Sequence, residues 1–291
     1  MNAHHSGRGK AVDMLNPGER WQQLVAMPDE ALDLAEAALI IAQQEYPHLN
    51  IAGYMKRLDE LADAVRARVT LDTTPEHIVV TMNHYFFKEQ GFAGNSENYH
   101  DPRNSFLNEV LDRKLGIPIT LSIVYMEVGR RLDLPLEGIA FPGHFLVKLS
   151  LKGGNVILDP YLGGISLSEE DLHERLKQVY SEAHMEMSLD RLLDSANKKE
   201  ILARVLRNLK AIYLRTDEFD KALLVVERIL SVVPDSAEDL RDRGLIYQRL
   251  ECVHAALEDL RSYLDLEPGA TDAVDIRARI IELQGQASTL H

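Results

Sequence analysis

A histidine and an aspartate stand fifteen residues apart where the chain turns from helical to extended patterning. His144 follows the turn Phe141-Pro142-Gly143 and opens the run Phe145-Leu146-Val147-Lys148-Leu149. Asp159 closes the run Val156-Ile157-Leu158, ahead of Pro160-Tyr161. If Gly153-Gly154 turns the chain between the runs, antiparallel pairing sets the imidazole beside the carboxylate. A carboxylate there fixes the tautomer and stabilises the charged ring, the orienting half of a nucleophile, base and orienter triad. The same pair could instead pin two strands with no chemistry. Thr120 and Ser122 lie in the first turn of a helix opened by Pro118. Either hydroxyl, or a water, would serve hydrolysis or acyl transfer with His144 as base, although both residues could equally cap or pack that turn.

Other polar residues have weaker claims. Arg103, Asn104 and Asn108 precede Gly116 and could, with His144, line a cleft and donate to a carbonyl or carboxylate of a bound partner; Asn104 also suits a plain helix cap. His77, His84 and His100 with Asp101 lack the spacing of a metal site, so no metal and no cofactor is expected. Gly163-Gly164 reads as a turn, and no glycine loop suited to phosphate is present. The single cysteine, Cys252, lies far along the chain and is expected as a small core residue.

The elements that would position His144 and Asp159 follow from periodicity. Helices are expected over 29–44, 51–69 and 75–89, then a loop over 91–103, a helix opening at Asn104-Ser105, and a buried central helix over 119–132 just after Pro118. Short strands over 136–141, 145–149 and 155–158 come next. Helices first and strands second is the α+β pattern, one sheet face packed on helices.

The tail carries an internal repeat. At a shift of 34 residues Tyr213 aligns with Tyr247, Ala222 with Ala256, Leu223 with Leu257, Leu230 with Leu264 and Pro234 with Pro268. That is the tetratricopeptide period, covering about 203–268. Lys210 stands where the second copy has Gly244, and Ile229 and Tyr263 occupy positions that normally take small residues. Two copies are fewer than the three or so that stand alone. They are therefore expected to lean on the first domain, with 273–283 as a capping helix.

Composition limits the function. Thirty-two basic and forty-six acidic side chains give a net charge of −14, and no basic cluster offsets it, so nucleic acid is an unfavourable partner. The longest apolar stretch, Ala37 to Ala42, is far too short for a membrane span. With one cysteine and no export signal, a cytoplasmic protein is expected.

Three strings resemble the segments of the transglutaminase-like fold, which papain-related cysteine proteases and N-glycanases share: GIPITLSIVYMEVGRRLDLPLEG, FPGHFLVKL and ILDPYLGG. With NYHDPRNSFLNEVLDRKL before them and the repeats behind, the chain is most similar to the SirB1 or UPF0162 group of bacterial proteins, from about Pro28 to Leu283. The resemblance implies an α+β transglutaminase-like domain over 15–195 and tetratricopeptide-like helices over 196–291; the first residues, with His4, His5, Arg8 and Lys10 and no apolar run, are expected as a disordered tail over 1–14. It also maps the superfamily's histidine onto His144 and its aspartate onto Asp159. The cysteine that opens the central helix in the superfamily falls on Pro118, which has no side chain able to attack a carbonyl. The implied function is therefore non-catalytic, gripping a protein or peptide partner through the cleft and the helical repeats. A hydrolase or acyltransferase using Ser122, Thr120 or water is the alternative.

Overall fold

The computed structural model describes residues 16–179 and 188–289. The tail expected over 1–14 lies outside the described residues. The chain divides into a first unit ending at Ile201 and a second beginning at Leu202.

The first unit opens with α1 (Pro17–Val25), started by a reciprocal pair in which the Asn16 carboxamide accepts from Glu19 N and the Glu19 carboxylate accepts from Asn16 N. The helix expected over 29–44 is two pieces, a 3₁₀ turn at Asp29–Ala31 and α2 (Leu34–Ala42). Asp33 divides them, because its carboxylate accepts from Glu36 N and begins a helix of its own. Next come α3 (Ile51–Arg66) and α4 (Pro75–Asn83), and α4 continues as a wider π turn over His84–Glu89. The segment read as loop contains β1 (Ala93–Gly94), which pairs in parallel with β2 (Leu115–Gly116) beyond α5 (Leu107–Arg113).

The central helix is α6 (Pro118–Arg131), buried without interruption from Pro118 to Gly129. A helix enclosed on all sides needs apolar residues all round, which explains its sequence. Four antiparallel strands follow in the order β3 (Leu136–Ile139), β4 (Leu146–Leu151), β5 (Gly154–Asp159) and β6 (Ile165–Leu167). The strand β6 was not anticipated; it is the continuation of the Gly163-Gly164 turn. Over the sheet lies α7 (Glu169–Val179), whose Leu172 and Leu176 enter a core with Ile139, Phe141, Leu146 and Ile157.

After the short α8 (Leu189–Leu192), residues 195–196 run along the edge of β3, where Ser195 bridges Ile139 and Ala196 N donates to Gly138 O at 2.8 Å. The helix α9 (Lys198–Arg215) then begins. Its first amides, Lys198 N and Lys199 N, each donate at 3.1 Å to the carboxylate of Asp29, and the Lys198 ammonium donates to the carbonyls of Glu30 and Leu32.

The second unit continues through α10 (Phe219–Val232), α11 (Ala237–Arg249), α12 (Val253–Leu266) and α13 (Ala273–Thr289). The helices α10 and α12 begin and end 34 residues apart, and the turns before them place Asp217 and Glu251, also 34 apart, in the same left-handed conformation. Ala222 and Ala256 are fully buried, and Ile229 and Tyr263 are buried with them. At Gly244 a Cβ would press on Leu260 at 2.8 Å, so only glycine lets α11 and α12 approach this closely. In the first repeat Lys210 turns its ammonium onto Asp239 at 2.6 Å and Asp242 at 2.5 Å. Ile276, Ile280 and Leu283 of α13 pack on Ala256, Leu257, Leu260 and Tyr263.

Cys252 departs from expectation. It occupies the turn before α12 and is exposed, because the repeat buries residues of the helices and leaves their connection outside.

Candidate functional site

The hairpin of β4 and β5 pairs Val147 with Leu158, so His144, two residues before β4, meets Asp159, the last residue of β5. The Nε2 of His144 lies 3.1 and 3.0 Å from the two carboxylate oxygens of Asp159. Asp159 is fully buried, and the His144 side chain is 18% exposed, so the pair presents its imidazole to solvent and hides its acid.

Two further groups converge on Asp159. As the cap of the 3₁₀ turn Pro160–Leu162, its carboxylate accepts from Tyr161 N at 3.0 Å and Leu162 N at 3.3 Å. From α7 the guanidinium of Arg175 reaches it at 2.8 Å. Burial by itself would push this carboxyl up, but the hydrogen bonds and charges of His144 and Arg175 outweigh it and hold Asp159 below the usual carboxylate range. Arg175 was missed in the sequence. Its only signal is position, since it lies between Leu172 and Leu176, the residues by which an otherwise polar helix touches the sheet.

The loop behind Asp159 is fixed from the central helix. Gly163 and Gly164 both take positive φ, and a Cβ at Gly164 would collide with Asn83. Asn83 donates to Gly164 O at 2.8 Å and accepts from the Tyr125 hydroxyl at 2.7 Å, so α4, α6 and the turn are locked together. Tyr161 stands with its ring edge-on to His144, centroids 5.8 Å apart, and close against Gly94, where a Cβ would strike the ring. Gly94 in turn pairs with Gly116, two residues before Pro118. The histidine is thereby connected to the start of α6 through Tyr161, Gly94 and Gly116.

At that start Pro118 is buried, the first residue of the helix. Neither hydroxyl offered as a substitute nucleophile is hydrogen bonded to His144. Thr120 donates to Asn104 O at 2.7 Å and accepts from Ile117 N at 3.2 Å, which is the capping role. Ser122 is fully buried, and its Oγ has no hydrogen-bond partner in the described residues.

The polar residues before Gly116 also divide. Arg103 is exposed and clamped to Asp101, with Nη2 to Oδ2 at 2.7 Å. Asn104 is fully buried in the 3₁₀ turn Pro102–Asn104 and caps no α-helix. Its carboxamide accepts from Asn95 and Arg113 and donates to the carbonyls of Asn98 and Tyr99. Asn108 is buried within α5. Asn104 and Asn108 are therefore enclosed and not presented to a partner: the first is consumed in folding the 95–104 loop back on itself, and the second is buried.

Comparison with known proteins agrees with this architecture. Residues 52–207 match the model of the transglutaminase-like superfamily, and residues 209–280 match that of the tetratricopeptide repeat. A UPF0162 protein of Xylella fastidiosa is 39% identical over 272 residues, 93% of this chain and 97% of the relative. A UPF0162 protein of Vibrio cholerae is 31% identical over 271 residues, 90% of this chain and 97% of the relative. Protein SirB1 of Salmonella typhimurium is 31% identical over 207 residues, 71% and 76% of the two chains. With its His and Asp on one hairpin and its paired helices at a 34-residue spacing, the chain belongs to the UPF0162 family of transglutaminase-like proteins, to which SirB1 is similar.

Proposed function

We propose that this protein is a non-catalytic transglutaminase-like protein that binds a protein or peptide partner. The observation that carries the reading is Pro118, buried at the first position of the central helix where the superfamily's cysteine is expected. The surroundings of Asp159 support it. An acid held at once by Arg175, His144 and two backbone amides is built for rigidity, and the Arg175 guanidinium balances its charge. The imidazole of His144, the Tyr161 ring beside it and the exposed Leu162 and Tyr99 offer polar groups set on apolar surface, a composition that suits a peptide. Tetratricopeptide helices add a second surface of a kind used for proteins. A cytoplasmic location belongs to the same reading, and among the described residues no helix is long and apolar enough to cross a membrane.

The alternative, a hydrolase or acyltransferase, needs Ser122, Thr120 or an activated water. Exposure of the full chain to a fluorophosphonate separates the two readings. No covalent adduct is expected; an adduct lost in Ser122→Ala or Thr120→Ala and dependent on His144 would establish the enzyme. For binding, wild type should retain at least one protein from a lysate that the His144→Ala, Arg103→Ala variant does not. Equal retention would remove the cleft as the binding site.

A further inference from the structure

The second unit contains a cavity of about 230 Å³, lined by Leu214 of α9, Phe219 of α10, Leu245, Ile246 and Arg249 of α11, and Arg279 of α13. Its volume accommodates one large side chain. We infer that this cavity is a docking site for an acidic peptide segment, taking one leucine or phenylalanine side chain between Leu214, Phe219, Leu245 and Ile246 and flanking carboxylates on Arg249 and Arg279. The inference rests on the reading that the chain acts by binding, and it assigns part of that role to the repeats.

Charge carries the choice of occupant. The chain as a whole is strongly acidic, with a net charge of −14, yet two exposed arginines stand at this apolar hollow with little to neutralise them. Among the described residues Arg279 bonds only an uncharged group, the carboxamide oxygen of Gln248 at 3.2 Å. Arg249 lies over the Phe219 ring at 4.5 Å, which orients its guanidinium beside the cavity. Its acidic neighbour Asp217 is 3.6 Å away with both side chains mostly exposed, a contact that water and salt readily replace. The carboxylate on the wall, Asp242, does not compete, because Lys210 and Arg241 already hold it at 2.5 and 2.8 Å. By contrast the other cations of this layer are engaged: Arg207 and Lys210 on Asp239, Arg241 on Asp242 and Asp272, and Arg243 on Asp259. A carboxylate arriving at Arg249 and Arg279 therefore meets charge that the fold has not used. Planar guanidiniums suit it better than ammoniums because they present paired donors.

The test uses the full chain on an array of ten-residue peptides, each with one leucine or phenylalanine flanked by Asp and Glu, by Asn and Gln, or by Lys and Arg. The acidic set should be retained at least about tenfold more strongly than its amide counterpart, and retention should fall steeply as salt rises. Arg249→Ala, Arg279→Ala should abolish the preference; both side chains are exposed, and an unchanged thermal midpoint would confirm that the variant folds. Leu245→Ala should weaken acidic and amide peptides alike. Retention of acidic and amide peptides to the same extent would overturn the assignment, as would an undiminished preference in the double arginine variant. His144→Ala should leave the preference intact. If that variant lost the acidic peptides while the double arginine variant kept them, the repeat cavity would be refuted and binding at the cleft would stand.

Discussion

Asp159 concentrates the residue-scale energetics of the first unit. Removing its charge leaves Arg175 and His144 against a buried carboxamide that can serve neither as well, so Asp159→Asn should cost about 3 kcal/mol at pH 7, measurable by urea unfolding. The pH dependence has a definite sign. Because the folded carboxyl sits below its unfolded value, its contribution is complete above the ordinary carboxylate range and is lost as pH falls through the folded value. The gap between wild type and Asp159→Asn should therefore be widest near neutrality and should narrow below about pH 4. An undiminished gap at pH 3 would show that the residue acts by shape and not by charge. Arg175→Met should be milder, about 1 to 2 kcal/mol, since Asp159 keeps His144 and two amides. The His and Asp were legible because a fifteen-residue hairpin has few ways to arrange them. Arg175 was not, because one arginine on a polar helix looks like any other until the sheet beneath it is known.

At the scale of elements, the site depends on turns more than on strands. Gly164 combines a positive φ with a Cβ position that Asn83 occupies, whereas Gly153, in the turn between β4 and β5, has open space around it. Gly164→Ala should cost about 2 kcal/mol or more and Gly153→Ala within about 0.5 kcal/mol; equal costs in thermal unfolding would show that the Asn83 clamp has no weight. The sequence displayed most elements through period and punctuation: the central helix after Pro118, the three strands, the 34-residue pairs. It concealed β1 and β2, each two residues long, since nothing in Ala93-Gly94 or Leu115-Gly116 alternates. It also concealed the break at Asp33, where a local side-chain bond overrides continuous helical periodicity. Asn104 and Asn108 show the same limit from another side. A carboxamide in a loop-rich stretch looks available for binding, and only the folded loop reveals that Asn104 spends its hydrogen bonds internally.

At the scale of the whole molecule, each unit relies on a buried ionic arrangement. In the second unit Asp239 is fully buried, and although burial would raise its carboxyl, Arg207, Lys210 and Ser236 hold it down. Lys210, the residue that broke the repeat consensus, joins α9 to α11 by this contact, so its departure from glycine has a structural reason. Lys210→Met should destabilise the second unit by about 3 kcal/mol and expose it to acid unfolding earlier than the first. Separate transitions by circular dichroism and by tryptophan fluorescence, which reports Trp21 alone, would register the difference.

The Asp29 carboxylate, which caps the first turn of α9, implies an order of events during synthesis. It is made 169 residues before the lysine amide it serves. At ordinary elongation rates that is a wait on the order of ten seconds, during which the aspartate has nothing to cap. The opening turn of α9, still within the first unit, is thus completed by a residue already in place. Until residues 198 and 199 have cleared the ribosome, the segment around Asp29 lacks this fastening and stays more open to proteolysis.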